Sequence, residues 1–219
     1  MPNRLMVKQY TSLPPVDERE VLRYAGVRGE ADEAVRSLLE ECLQESEGAF
    51  LARVVYRQFT RKEFFARFPT LLESKTLQER LGDSERVVVF AATVGLSIDR
   101  LTAKYASLSK AKALFFQALG TERIEAVCDL FCKELGEEYK GYPRARCSPG
   151  YGDFPLQVQT EIFAALDCYR KIGVGLTESL LMTPTKSVTA VVGFNEDREE
   201  SKTGCALCGK TDCQIRKQI

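Results

Sequence analysis

Three features of this 219-residue sequence predict an α+β fold, an antiparallel sheet flanked by helices. Residues 86–94 (RVVVFAATV) form an unbroken β-rich apolar run, the signature of a buried strand. Residues 176–181 and 187–194 read as two strands joined by Thr183-Pro184-Thr185-Lys186 in hairpin fashion. Long segments of helical period stand between and before these strands in mixed order, and no internal repeat is visible.

The elements follow along the chain. Residues 16–24 open either a short helix or an extended arm. Residues 32–45 form a helix, because Val35, Leu38, Leu39 and Cys42 recur on one face of a 3.6-residue period. Gly48 ends it. Residues 49–59, with Val54, Val55 and Tyr56, read as a strand, and residues 75–81 as a short helix stopped by Gly82-Asp83. An amphipathic helix over 97–105 follows Gly95. Residues 110–139 give one long helix or two, with Gly120-Thr121 as the candidate break. Residues 156–171 form another helix, with Ile162, Leu166 and Tyr169 on one face and Gly173 and Gly175 ending it. Residues 195–202 are a polar linker, and residues 203–219 a small cysteine-bearing tail.

Composition narrows the functional classes. The chain carries 31 basic and 31 acidic residues, so nothing points to a nucleic-acid or anionic-membrane surface. No apolar run approaches the roughly 20 residues of a membrane span. The N-terminal MPNRLMVKQYTSLPP lacks an apolar signal-peptide core, which predicts a cytoplasmic location. The absence of histidine excludes a Ser-His-Asp or Cys-His dyad within the chain and an imidazole ligand to cobalt or zinc. No GxGxxG or P-loop motif is present. Of the eight cysteines, Cys42, Cys128 and Cys168 read as small buried apolar residues in helices.

The chemistry gathers in residues 144–188. Arg144 and Arg146 precede Ser148-Pro149-Gly150-Tyr151-Gly152-Asp153. Proline fixes φ and glycine opens backbone conformations closed to other residues, so this segment is a shaped binding loop. After the next helix comes LTESLLMTPTKSV, residues 176–188. Together the two segments resemble the activation (reactivation) domain of cobalamin-dependent methionine synthase, in which an Arg-x-x-Pro-Gly-Tyr loop binds S-adenosylmethionine. The similarity is clearest over residues 124–194, about a third of the chain, and residues 16–29 (VDEREVLRYAGVRG) look like short, free-standing relatives of that domain. Cys147 and Gly152 stand where the family often has proline. Residues 195–200 (NEDREE) stand where the multidomain enzymes carry an aromatic that helps close the site.

The resemblance implies an activation-domain fold, with residues 1–194 as an S-adenosylmethionine-binding domain and 195–219 as linker and tail. It implies that Glu125 places a carboxylate near the ligand, Arg146 pairs with the methionyl carboxylate, and Ser148 offers backbone groups. Tyr151 would then give a ring wall to the adenine or sulfonium. Asp129, four residues from Glu125, shares its helix face; the alternative for that pair is a solvated surface. Alternation sets Glu178 opposite Thr177 and Ser179 in a strand, where it either lines the pocket or braces the Arg146 loop.

The implied activity is reductive reactivation of a cobalamin-dependent methionine synthase. The chain would present the S-adenosylmethionine methyl group to cob(II)alamin carried by a partner protein. A flavodoxin or ferredoxin would act as reductant. A separate signal is Cys205-x-x-Cys208-x-x-x-x-Cys213, whose thiolates suit a zinc ion or an iron–sulfur cluster, with Cys147 or another tail residue as a fourth ligand. The alternatives are a flexible tail with incidental thiols and, for the whole chain, a non-enzymatic or redox-sensing partner of a corrinoid protein. A methyltransferase for another acceptor is a third class. S-adenosylmethionine binding separates the first two; turnover without any corrinoid protein marks the third.

Overall fold

β3 (Arg86–Thr93) is buried along nearly its whole length, which is why its sequence runs apolar without alternation. In the computed structural model, which describes residues 4–196, β3 is the central strand of a five-stranded antiparallel sheet. β2 (Ala52–Thr60) pairs along one side of it, from Arg53 opposite Thr93 to Thr60 opposite Arg86. β7 (Ser187–Asn195) pairs along the other, from Ser187 opposite Thr93 to Phe194 opposite Arg86. β1 (Leu5–Tyr10) and the short β4 (Tyr142–Pro143) complete the order β1-β2-β3-β7-β4. The architecture is the expected α+β one.

Each face of the sheet has its own helical cover, because successive strand side chains point to opposite faces. Val88, Phe90, Ala190 and Val192 pack with Ile124, Val127, Phe131 and Leu135 of α6 (Lys110–Tyr139). Val87, Val89, Ala91 and Val191 pack under α3 (Arg61–Arg67), α4 (Lys75–Leu81), α7 (Val158–Leu166) and α8 (Cys168–Ile172). α1 (Glu18–Tyr24), α2 (Glu33–Glu45) and α5 (Ser97–Tyr105) surround the N-terminal half of α6 at Phe116 and Leu119. Cys42, Cys128 and Cys168 are buried, as their helical setting predicts. Among the described residues no helix is long and apolar enough to cross a membrane.

Several elements differ from the sequence expectation. Gly120 does not break α6, which runs for 30 residues without interruption. A Cβ there would lie 2.6 Å from Ile98 Cγ2 and 2.8 Å from Lys186 Cγ, so the glycine serves close packing. The helix expected over 156–171 starts at Val158 and is interrupted at Asp167, which adopts the left-handed conformation with φ 50°. The strand expected over 176–181 is not formed. Gly175–Leu176 (β5) pairs with Met182–Thr183 (β6), and residues 177–181 make the turn between them. The hydroxyl of Thr177 accepts from Leu181 N at 3.0 Å and contacts Ser179 Oγ at 3.0 Å, side-chain bonds that compete with a ladder. β7 therefore joins the main sheet rather than a hairpin with 176–181. β1 and α3 were not expected; α3 carries the capping box Thr60-x-x-Glu63, with Thr60 N donating to Glu63 Oε2 at 2.8 Å. The linker beyond residue 196 and the cysteine tail lie outside the described residues.

Candidate functional site

The segment after β4 runs along the outer edge of β7 before it turns into the Ser148–Asp153 loop. Arg144 N donates to Gly193 O at 2.9 Å, and Cys147 and Val191 exchange backbone bonds of 2.9 and 2.8 Å. Strand alternation then separates neighbours. Cys147 is buried among the residues beneath α4 and α7, whereas Arg146 reaches across to α6. Burial pushes the Cys147 thiol up to about 11. Among the described residues no group of three or more metal-ligating side chains converges.

Two clamps fix the loop, and both belong to α4. Arg144 Nε donates to Arg80 O at 2.8 Å and Nη2 to Glu79 O at 3.2 Å, at the helix C-terminus. Its guanidinium lies flat against Gly82, where a Cβ would come within 2.7 Å of Cζ. Asp153 accepts from Ser74 Oγ at 2.8 Å, Lys75 N at 2.7 Å and Thr76 N at 3.0 Å, at the helix N-terminus. The bonds from Thr76 and Ser74 hold the Asp153 carboxyl well below the usual carboxylate range. Charge placement suits the helix dipole at both ends. Between the clamps, Tyr151 N donates to Ser148 O at 3.3 Å and Gly150 N to Phe154 O at 2.8 Å, and buried Phe154 roots the loop in the core. Tyr151 extends outward, 71% exposed.

Arg146 meets the two carboxylates whose four-residue spacing marked them in the sequence. Nη2 donates to Glu125 Oε2 at 2.7 Å, and Nη1 donates to Asp129 Oδ1. The guanidinium side chain is 22% exposed, that of Glu125 44% and that of Asp129 74%. Burial disfavours the Arg146 charge, but the carboxylates of Asp129 and Glu125 beside it favour the charge, and its pKa is pushed up. Burial keeps the Cys128 and Cys132 thiols neutral, Cys132 at about 11. The result is a half-open ionic cluster on α6 beside a clamped loop: a cation for a carboxylate, carboxylates for a cation, and an exposed ring.

Of the expected residues, the structure thus brings Glu125 and Arg146 into contact and places Ser148 and Tyr151 on the loop that follows. Glu178 is different. It is exposed in the 177–181 turn rather than set in an apolar strand, and among the described residues no hydrogen bond or ion pair joins it to the other four. That turn is held by Gln159 Nε2, which donates to Leu180 O at 2.9 Å, and Leu180 takes φ 62°. Two neighbours were not expected. Tyr24 of α1 has its phenol pushed up by burial, with the charge of Glu125 adding to the shift; Arg23 lies 4.2 Å over its ring. Lys186 Nζ donates to Thr121 Oγ1 at 2.9 Å, one helical turn from Glu125, and burial pulls its pKa down. A groove of about 450 Å³ near Tyr10, Val16 and Phe50 contains none of the candidate residues. Its buried cation, Arg123, is held by Glu122 and by the carbonyls of Pro14 and Pro15 at 2.6 and 3.1 Å.

Comparison with known proteins follows the same lines. No curated protein matches the chain. A solved structure described as the MetH reactivation domain bound to AdoHcy superimposes with a TM-score of 0.59 at 18% identity, covering 90% of this chain and 82% of that one. At that identity the likeness establishes the fold. Residues 55–206, which contain Glu125, the Arg146 loop and the 177–181 turn, match the family described as vitamin B12 dependent methionine synthase, activation domain. The chain belongs to that family of methionine synthase activation domains.

Proposed function

We propose that residues 1–194 bind S-adenosylmethionine at Glu125, Arg146 and the Ser148–Tyr151 loop and present its methyl group to cob(II)alamin on a separate methionine synthase core. A flavodoxin or ferredoxin supplies the electron. The observation that carries this reading is the Arg146–Glu125–Asp129 ion cluster beside a loop clamped at both ends. It fits the ligand: Arg146 takes the methionyl carboxylate, the acidic pair takes the ammonium or sulfonium, and Tyr151 lies against the adenine or sulfonium. The chain's own work is positioning, holding the sulfonium methyl in line with the acceptor. The cobalamin takes up the electron and the methyl group, leaving methylcobalamin and S-adenosylhomocysteine. The absence of histidine supports an acceptor carried elsewhere, and we place the reaction in the cytoplasm.

Calorimetric titration with S-adenosylmethionine, with and without a cob(II)alamin-loaded core, tests this. Saturable binding is expected in both, and methylcobalamin only with core and reductant present. No binding in either condition sinks the reading and favours a binding or redox-sensing partner instead. Turnover without a corrinoid protein points to another acceptor. For the tail, we propose that Cys205, Cys208 and Cys213 hold a zinc ion or an iron–sulfur cluster, since coordination protects thiolates in a segment too short for its own core. Elemental analysis of anaerobically prepared protein checks it; metal at background level returns the tail to incidental thiols.

A further inference from the structure

The ionic cluster at the site does not balance. One guanidinium faces two carboxylates, Arg146 against Glu125 and Asp129, so the cluster carries one net negative charge. Cations around it have carboxylates of their own, including Lys133 of α6, which lies 4.0 Å from Glu137. Arg23 meets Glu20 at 2.5 Å, and Lys186 is offset by Asp99, which also accepts from Thr185 N at 2.9 Å. Burial keeps the thiols of Cys128 and Cys132 neutral. Glu125 alone would neutralise Arg146, which leaves Asp129, the more exposed partner, as the surplus charge. The ligand of the proposed reaction changes charge in the opposite sense. S-Adenosylmethionine carries an ammonium, a sulfonium and a carboxylate, net plus one. Transfer of the methyl group leaves its bonding pair on sulfur, and the thioether product is net neutral.

We infer that Asp129 is a selectivity residue that favours the sulfonium reactant over the thioether product and so promotes product release. The inference rests on the S-adenosylmethionine reading above. When the methionyl carboxylate engages Arg146, one of the two carboxylates loses its partner and faces the ligand's positive end. Once the methyl group has left, the sulfonium's share of that attraction falls away, while the ammonium, adenosine and carboxylate contacts persist. A single charge–charge contact at about 5–6 Å in a largely hydrated setting corresponds to roughly a three- to tenfold difference in affinity.

The test is the ratio of two dissociation constants, measured by calorimetry for S-adenosylmethionine and S-adenosylhomocysteine. Wild type, Asp129→Asn and Asp129→Glu are compared at about 20 and 200 mM salt, which brackets strong and weak screening. Asp129→Asn should shift the ratio about three- to tenfold toward the product, mainly by weakening the sulfonium ligand. Asp129→Glu should restore it, and salt should narrow the wild-type preference. An unchanged ratio in Asp129→Asn overturns the inference and leaves the binding site standing. So does an equal loss for both ligands, the mark of a structural role. If neither ligand binds wild type, the underlying reading falls as well.

Discussion

Replacing Arg146 with Ala removes a side chain that the structure uses twice, once for Glu125 and once for Asp129. The folding cost is modest. Partly exposed ion pairs contribute about 0.2–1 kcal/mol each. The two carboxylates left four residues apart on α6 add a few tenths through repulsion. About 1–2 kcal/mol in total is small against the roughly 5–15 kcal/mol of a typical domain, so the variant should fold. Ligand binding should suffer more. A hydrogen bond to a charged group is worth about 1.5–3 kcal/mol, so S-adenosylmethionine should bind roughly 10- to 150-fold more weakly. Arg146→Lys keeps the charge but not the planar fork, and should fall between. Calorimetric titration gives the affinities, and urea unfolding of the same samples shows that the fold is intact. Affinity for Arg146→Ala within about twofold of wild type, in a folded protein, refutes the carboxylate contact.

Other expectations follow from particular contacts. Gly152 has φ 58°, and a Cβ there would collide with Thr76 Oγ1; Gly152→Ala should cost about 1–2 kcal/mol from backbone strain alone and loosen the Asp153 clamp, seen as a lower urea midpoint together with weaker ligand binding. Gly120→Ala gains about 1 kcal/mol of helix propensity but overpacks Ile98 at about 1–3 kcal/mol, so the thermal midpoint should fall; a rise would show that α5 can move aside. Burial pushes the thiols of Cys42, Cys132 and Cys147 up to about 11, from an ordinary value of 9.0. Below pH 9 their contribution to stability is intact. As the pH rises from 9 toward 11 the unfolded chain ionises and the folded one does not, so stability declines. Urea midpoints at pH 8, 9.5 and 10.5 measure it, and a flat profile contradicts the burial argument.

The sheet was legible where one physical cause acted alone. β3 is covered on both faces, so its apolar run spoke without help from context. α6 was legible in extent but not in continuity. Gly120 looks like a breaker in sequence, and only the approach of Ile98 and Lys186 shows why a glycine sits in mid-helix. The 177–181 turn was misread because Leu-rich sequence suggests a strand, while Thr177 and Ser179 satisfy the backbone locally. At the site, the four-residue spacing of Glu125 and Asp129 pointed to a shared face, and the loop motif pointed to Arg146. Their contact spans about 20 residues of chain and needed the fold. The separate tasks of Arg144 and Arg146 were invisible: two residues apart, they would share a face in a regular strand, but the register against β7 slips by one residue between Pro143–Phe194 and Cys147–Val191, and the two reach different helices.

The α4 clamps also bear on how the protein comes together in time. Arg144 reaches back 64 residues to Arg80, and Asp153 reaches back 79 to Ser74. Neither contact can form by local search, and closing chains of that length is slow compared with forming a helix or a short turn. β3 and α6 lie in the intervening chain, so the two clamps enclose the central strand and the long helix between their ends. The geometry of the loop therefore depends on long-range contacts rather than on local turn preference, and any opening that parts α4 from residues 144–153 would undo it while leaving each helix intact.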